Sequence, residues 1–161
     1  MSNDTAKKTG PTGPILQNKK ARFNFEVLSR VEAGIALKGT EVKSLRAGTA
    51  SLAEAYARVE AGQVRLINFQ IQPYVQGNRY NHDPKRPKLL LLHKREIKKL
   101  AAAVQTKGQT LIPLCVYFNP RGMVKVELAL ARGKTHRDKR HDERAKEDRK
   151  DIARAQRRGG L

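Results

Sequence analysis

At 161 residues the chain has room for one domain with tails, and its 34 lysines and arginines against 15 aspartates and glutamates leave a net charge of +19. Hydrophobic residues make up 39%, enough for a modest core, and the single cysteine, Cys115, excludes both a disulfide framework and a thiolate metal site. The charge calls for an anionic partner, with nucleic acid foremost.

Residues 1–20 are rich in Thr, Lys, Gly, Pro and Asn and read as a flexible basic arm, broken by Gly10-Pro11 and Gly13-Pro14. They lack the apolar region of a signal peptide. No stretch of the chain approaches the roughly 18–20 apolar residues of a membrane span, so a soluble, reduced, cytoplasmic protein is expected.

The folded domain is expected over residues 21–132. Glu32-Ala-Gly34 reads as a turn between strands Phe23–Val31 and Ile35–Leu37. A short helix is predicted over Thr40–Arg46, capped by Thr40 and stopped by Gly48. Glu60-Ala-Gly62 turns Tyr56–Val59 into Val64–Ile71. There the alternation slips phase, since Val64 and Leu66 share one register while Ile67, Phe69 and Ile71 share the next. A bulge or sharp bend near Leu66-Ile67 accounts for that slip.

Ile97, Leu100, Ala101 and Val104 keep the i, i+3, i+4, i+7 rhythm of a helix stopped by Gly108, with Lys98, Lys99 and Lys107 outside. Thr110–Phe118 and Met123–Leu130 read as a hairpin. Val124, Val126, Leu128 and Leu130 point one way, and Lys125 and Glu127 the other. Asn119-Pro-Arg-Gly122 suits a type I turn. Bent strands in a run of hairpins imply a small closed barrel.

From Gly133 to Leu161 the chain is a basic C-terminal tail in which Ile152 is the only large aliphatic before Leu161. Too little apolar surface is present to offset the entropy of ordering, so it is expected to be loose in the free protein. Lys146, Lys150 and Arg154 nevertheless repeat at helical spacing, continued by Arg157 and Arg158, beside the acidic row Glu143, Glu147 and Asp151. Such rows add a few tenths of a kcal/mol per pair, too little for a lone helix in water. A phosphate-lined channel would neutralise the basic row and let the helix form.

Catalytic readings fail on their residues. Gly133-Lys134-Thr135 copies the end of a phosphate-binding loop, but the glycine required five residues earlier is Leu128. His82, His93, His136 and His141 have no metal-ligand spacing, and no serine has a partner histidine or elbow motif. No metal, no cofactor and no enzymatic activity are expected. Cys115, inside the apolar run Leu111–Phe118, reads as a buried structural thiol.

The segment from Gln76 to Lys88 is different. It mixes Arg79, Lys85, Arg86 and Lys88 with Tyr80, His82, Asn78 and Asn81. Cations meet phosphates, aromatics stack on bases and amides read base edges, which is what looped RNA offers. Lys43 and Arg46 on the short helix, with Lys19, Lys20 and Arg22, extend the basic surface.

Asn18-Lys-Lys-Ala-Arg22, Glu32-Ala-Gly-Ile35, Gly39-Thr-Glu-Val-Lys-Ser-Leu-Arg46, Asn81-His-Asp-Pro84, Lys88-Leu-Leu-Leu-Leu-His-Lys94, Gly133-Lys134 and Asp138-Lys-Arg140 occur in that order. With them the chain closely resembles the SsrA-binding protein (SmpB) family over nearly its full length. The resemblance implies a mainly β fold with helices, namely a small closed β-barrel of the oligonucleotide-binding (OB) type with flanking helices and the basic tail. It also implies binding to the tRNA-like domain of transfer-messenger RNA and delivery of that RNA to stalled ribosomes. The tail would lie in the small-subunit decoding centre and message channel. Elongation factor Tu would meet the complex through the charged RNA, and the protein would act as a monomer.

By position, the resemblance places Glu32, Leu91 and His93 at the RNA-binding surface, with Asn18, Lys19, Lys43 and the Asn78–His82 loop near it. Leu91 stays open between core and RNA contact, and His93 stands where some members have asparagine. In the tail, Lys134, His136, Arg137, Asp138, Lys139 and Arg140 fall on the family's pattern Gly-Lys-Lys-x-His/Tyr-Asp-Lys-Arg. Thr135 replaces its second lysine and Arg137 its stacking residue. Stacking falls either to the Arg137 guanidinium plane or to His136. A ribosomal or initiation-type barrel protein is the alternative that the same basic composition allows.

Overall fold

A computed structural model describes residues 15–76 and 83–159. The strands are β1 (Leu16–Gln17), β2 (Phe25–Ile35), β3 (Ala50–Ser51), β4 (Tyr56–Glu60), β5 (Gln63–Ile67), β6 (Gln70–Ile71), β7 (Lys88–Leu91), β8 (Gln109–Phe118) and β9 (Val124–Gly133). The helices are α1 (Lys19–Asn24), α2 (Gly39–Arg46), α3 (Lys94–Val104) and α4 (His136–Arg158).

Antiparallel pairing runs β8–β4–β5–β7–β2–β9 and returns from β9 to β8, so six strands form a closed ring. β1 adds to the other half of β8's free edge, and β3 pairs with β6 in a separate two-stranded sheet. The protein is thus mainly β with helices. Inside the ring, Val64, Leu66, Phe69, Leu111, Val116, Val126 and Leu128 are fully buried, joined by Leu45 from α2 and Leu100 from α3. Each such side chain contributes roughly 1.5–3 kcal/mol of transfer free energy. A smaller cluster lies outside the ring, where Ala21 of α1 covers Ile112, Leu114, Ala129 and Ala131. Covered on both faces, β8 reads as a continuous apolar run rather than an alternating one.

Two predicted turns form. The Asn119 carbonyl accepts from Gly122 N–H at 2.9 Å, and its side chain accepts from the N–H groups of Arg121 and Met123 at 3.1 and 2.8 Å. Between β4 and β5, Ala61 and Gly62 take φ of 49° and 72°, the left-handed pair of a two-residue hairpin turn. The predicted α3 rhythm also holds, with Leu100 buried and Ile97 and Val104 packed on the core.

Other expectations change. Glu32-Ala-Gly34 is no turn, because β2 is one strand of eleven residues and Ala33 is buried opposite Val126. Residues 23–24 belong to α1, not to that strand. Thr40 lies inside α2; Lys38 is the N-cap, and its N–H is taken by the Glu41 carboxylate at 2.7 Å. The phase slip after Gly62 is met by the expected bend, one residue beyond Leu66-Ile67 at Asn68, where φ is 57°, just past the β4–β5 pairing. The ring's bulges lie elsewhere, at Val27/Ser29 in β2 and Pro113/Cys115 in β8. Residues 15–20, read as part of the arm, instead contribute β1, the buried Asn18 and the start of α1.

Candidate nucleic-acid interface

Side chains of a strand alternate between faces, so the outer surface of the ring can be read from its registers. Beyond the patch covered by α1, one outward row is Leu91–Gly34–Lys125–Tyr117, and the next is Glu32–Glu127–Cys115. Glu32 and Glu127 stand directly opposite, an arrangement that repels unless both charges find donors. Both do. The Tyr117 hydroxyl donates to Glu32, while Arg30 and the Cys115 thiol each donate to Glu127 at 3.2 Å.

Leu91 is 54% exposed, so it is a surface residue and not core. It sits over Gly34, where a Cβ would come within 3.2 Å of the Leu91 Cβ. The glycine is therefore the residue that allows β7 to approach β2 so closely. His93, exposed, is the N-cap of α3, with its N–H held by Glu96 at 3.0 Å. Glu32 and Leu91 are thus brought onto one exposed face. Tyr117, Lys125, Glu127 and Arg30 join them there, although sequence reasoning did not single them out as site residues. The signal existed: the Asn119–Gly122 turn fixes Tyr117 opposite Lys125.

A second exposed group lies on α2. Lys43 Nζ is 5.5 Å from the Tyr74 ring centre, and the Arg46 guanidinium is 5.3 Å from that of Phe118. Each cation is held over an aromatic face, and neither has an ion pair among the described residues. Lys19 and Lys20 are exposed on α1, the latter 3.7 Å from Glu54.

Two expected RNA contacts are withdrawn by burial. Asn18 is 5% exposed: its amide donates to the carbonyls of Leu52 and Pro113 at 3.2 and 3.1 Å, and its Oδ1 accepts from Ala21 N–H. Lys88 is fully buried, its ammonium donating to the carbonyls of Phe69 at 2.7 Å, Arg86 at 2.9 Å and Pro84 at 3.4 Å. Burial lowers its pKa to about 8, although the nearby Glu41 charge opposes that fall.

Glu41 is clasped by Arg86 through two bonds, 3.0 and 2.6 Å. Burial would raise its carboxyl, but the Arg86 and Lys38 hydrogen bonds and the Arg86 and Lys88 charges outweigh burial and hold it low. These contacts pin the chain just after residues 77–82. The expected sites Asn78, Asn81 and His82 lie outside the described residues. Cys115 is buried as expected; burial, then Glu127, pushes its thiol up to about 11, so it stays protonated near neutrality.

The tail, expected to be loose in the free protein, instead forms the continuous helix α4 from its Thr135 cap, although no residue of that helix is buried. Thr135 caps it: its hydroxyl accepts from Asp138 N–H at 3.3 Å, and Asp138 accepts from Thr135 N–H at 3.1 Å. The Thr135 hydrogen bonds hold the Asp138 carboxyl below its usual range. His136 and Arg137 are exposed on the first turn, and Arg140 is exposed at the start of the second. Lys146, Lys150, Arg154, Arg157 and Arg158 are all exposed, and among the described residues the one ion pair in that row is Arg154–Asp151 at 3.9 Å. No group of three or more described His, Cys, Asp or Glu could hold a metal, and no described helix is long and apolar enough to cross a membrane.

Known proteins are similar to this chain over most of its length. An SsrA-binding protein of Desulforamulus reducens is 56% identical over 154 residues, covering 94% of this chain and 96% of its own. That of Moorella thermoacetica is 53% identical over 141 residues, covering 88% and 91%. A solved structure described as "tmRNA-SmpB: a journey to the center of the bacterial ribosome" contains a chain 52% identical to this one, with a TM-score of 0.66 over 77% of this chain and 87% of that one. The family model described as SmpB protein matches residues 15–158, which takes in the ring, its outward carboxylate face and all of α4, and so the chain belongs to the SmpB protein family.

Proposed function

We propose that this protein binds the tRNA-like domain of transfer-messenger RNA and delivers it to stalled ribosomes for trans-translation, acting as an adaptor and not as an enzyme. The observation that carries this reading is the family match across both the ring and the unburied basic helix α4. The ring, a closed barrel of the OB type on this reading, holds the RNA. Its contacts are Glu32, Leu91, His93, Lys19, Lys20, Lys43, Arg46 and the 78–82 loop, with Tyr117 and Lys125 added by their place on the same face. Asn18 and Lys88 support that surface from within.

The tail stands in for an anticodon arm. Held to the rest of the protein near its base, helix α4 enters the decoding centre and message channel, where Lys146, Lys150, Arg154, Arg157 and Arg158 meet phosphates. The protein works in the cytoplasm as a monomer, and elongation factor Tu joins through the charged RNA.

Truncation after Arg140 tests the division of labour. RNA binding should stay nearly intact, since the tail buries nothing, while peptide tagging on purified stalled ribosomes should be lost. Tagging by the truncated protein would refute the role given to the tail. Sequencing the RNA that co-purifies with the full chain tests the partner: one discrete small RNA is expected, and ribosomal RNA alone would favour a permanent ribosomal component.

A further inference from the structure

Where β9 passes into α4, three contacts converge on the end of α1. Lys134 N–H donates to the Asn24 carbonyl at 2.8 Å, carrying the β2–β9 pairing one bond further. The Lys134 ammonium donates to the Arg22 carbonyl at 3.2 Å and to Asp142 Oδ2 at 2.5 Å. One turn on, Lys139 Nζ lies 6.0 Å from the ring centre of Phe23, a residue left 42% exposed.

The Arg22 carbonyl belongs to the last turn of α1, where unsatisfied carbonyls carry partial negative charge and attract a cation. Asp142 belongs to the second turn of α4. One ammonium therefore ties two helices together. An exposed ion pair alone would count for little. The Lys134 side chain, however, is only 19% exposed, and its two acceptors sit on separate elements, so its bonds can be satisfied together in few orientations of α4. Past Asp142, no hydrogen bond or ion pair among the described residues ties α4 to the ring.

We infer that Lys134, with Asp142 and the Phe23–Lys139 contact, is a positioning residue that sets the direction in which α4 leaves the ring. It does not meet the ribosome; it aims the residues that do. The functional half of this inference rests on α4 being the ribosome-facing element. Position 134 needs a long cationic donor, so arginine should serve and methionine, of similar length, should not.

The test uses the full chain carrying Cys115→Ser, with spin labels on cysteines introduced at Gln63, in the β4–β5 hairpin, and at Glu143, in α4. Pulsed EPR reads the distance distribution between them. Lys134→Met and Asp142→Asn should each broaden or shift it, Lys134→Arg should restore it, and the double variant should be no broader than Lys134→Met alone. Tagging on purified stalled ribosomes should fall at least tenfold in Lys134→Met and recover in Lys134→Arg, while Asp142→Asn should keep its RNA affinity within twofold. An unchanged distance distribution in Lys134→Met would refute the positioning role whatever tagging does. A broadened distribution with full tagging would refute its functional use and leave the ribosomal role of α4 standing.

Discussion

The hydroxyl of Tyr117 on β8 donates to the carboxylate of Glu32 on β2, reaching across the whole width of β9. The bond fixes the direction of a carboxylate in an otherwise basic protein. A carboxylate repels phosphate, so its use toward RNA is to accept from base or ribose donors.

Glu32→Ala should therefore weaken RNA binding with the fold intact. Tyr117→Phe, which keeps the ring and removes the donor, should weaken it too, by about 1–2 kcal/mol or roughly 5- to 30-fold. The double variant should be little worse than Glu32→Ala alone, since both act through one group. Titration calorimetry on the four proteins checks this, and fully additive losses would separate the two residues.

Lys43 tests the electrostatic part of the interface. Lys43→Ala should lower affinity and reduce the slope of log K against log salt by about one. An unchanged slope would remove Lys43 from contact with phosphate.

Lys88 gives a pH signature. Its folded pKa, about 8, lies below the ordinary 10.5, so between those values the unfolded chain binds more protons than the folded one. Stability should thus rise with pH across that window, by at most about 1.4 kcal/mol per pH unit, and show no Lys88 contribution to the slope below it. Lys88→Met should flatten the window. It should also cost about 1–3 kcal/mol near pH 7, because the Phe69 and Arg86 carbonyls lose a buried donor. Urea titrations of both proteins at pH 7 through 10.5 measure it.

Local signals in the sequence sufficed where the physics was local. Asn119-Pro-Arg-Gly122 carries its own turn chemistry, and the Ile97–Val104 spacing carries its own apolar face. Glu-Ala-Gly shows the limit. At 60–62 it makes a tight turn with two left-handed residues, and at 32–34 the same tripeptide runs straight through the middle of the ring. Nothing in the three residues distinguishes them; pairing with β9 and the close approach of Leu91 decide. Lys88 and Asn18 misled for the same reason. A lysine in a basic loop and an asparagine before two lysines read as RNA ligands, and only distant carbonyls at Phe69, Leu52 and Pro113 turn them inward. Glu32 and Leu91 came from the family resemblance, which left Leu91 open between core and surface until its exposure decided for the surface. The basic row of the tail was legible from its own i, i+4 spacing.

Helix α4, with its 23 residues, is about 35 Å long, and among the described residues its hydrogen bonds to other elements lie only at its base. A rod so held magnifies angular error. A tilt of about 10° at the base carries the far end about 6 Å, roughly twice the length of a hydrogen bond. Arg157 and Arg158 ride at that far end. Substitutions near residue 134 should therefore be felt most strongly at the opposite end of the helix, by side chains they never touch.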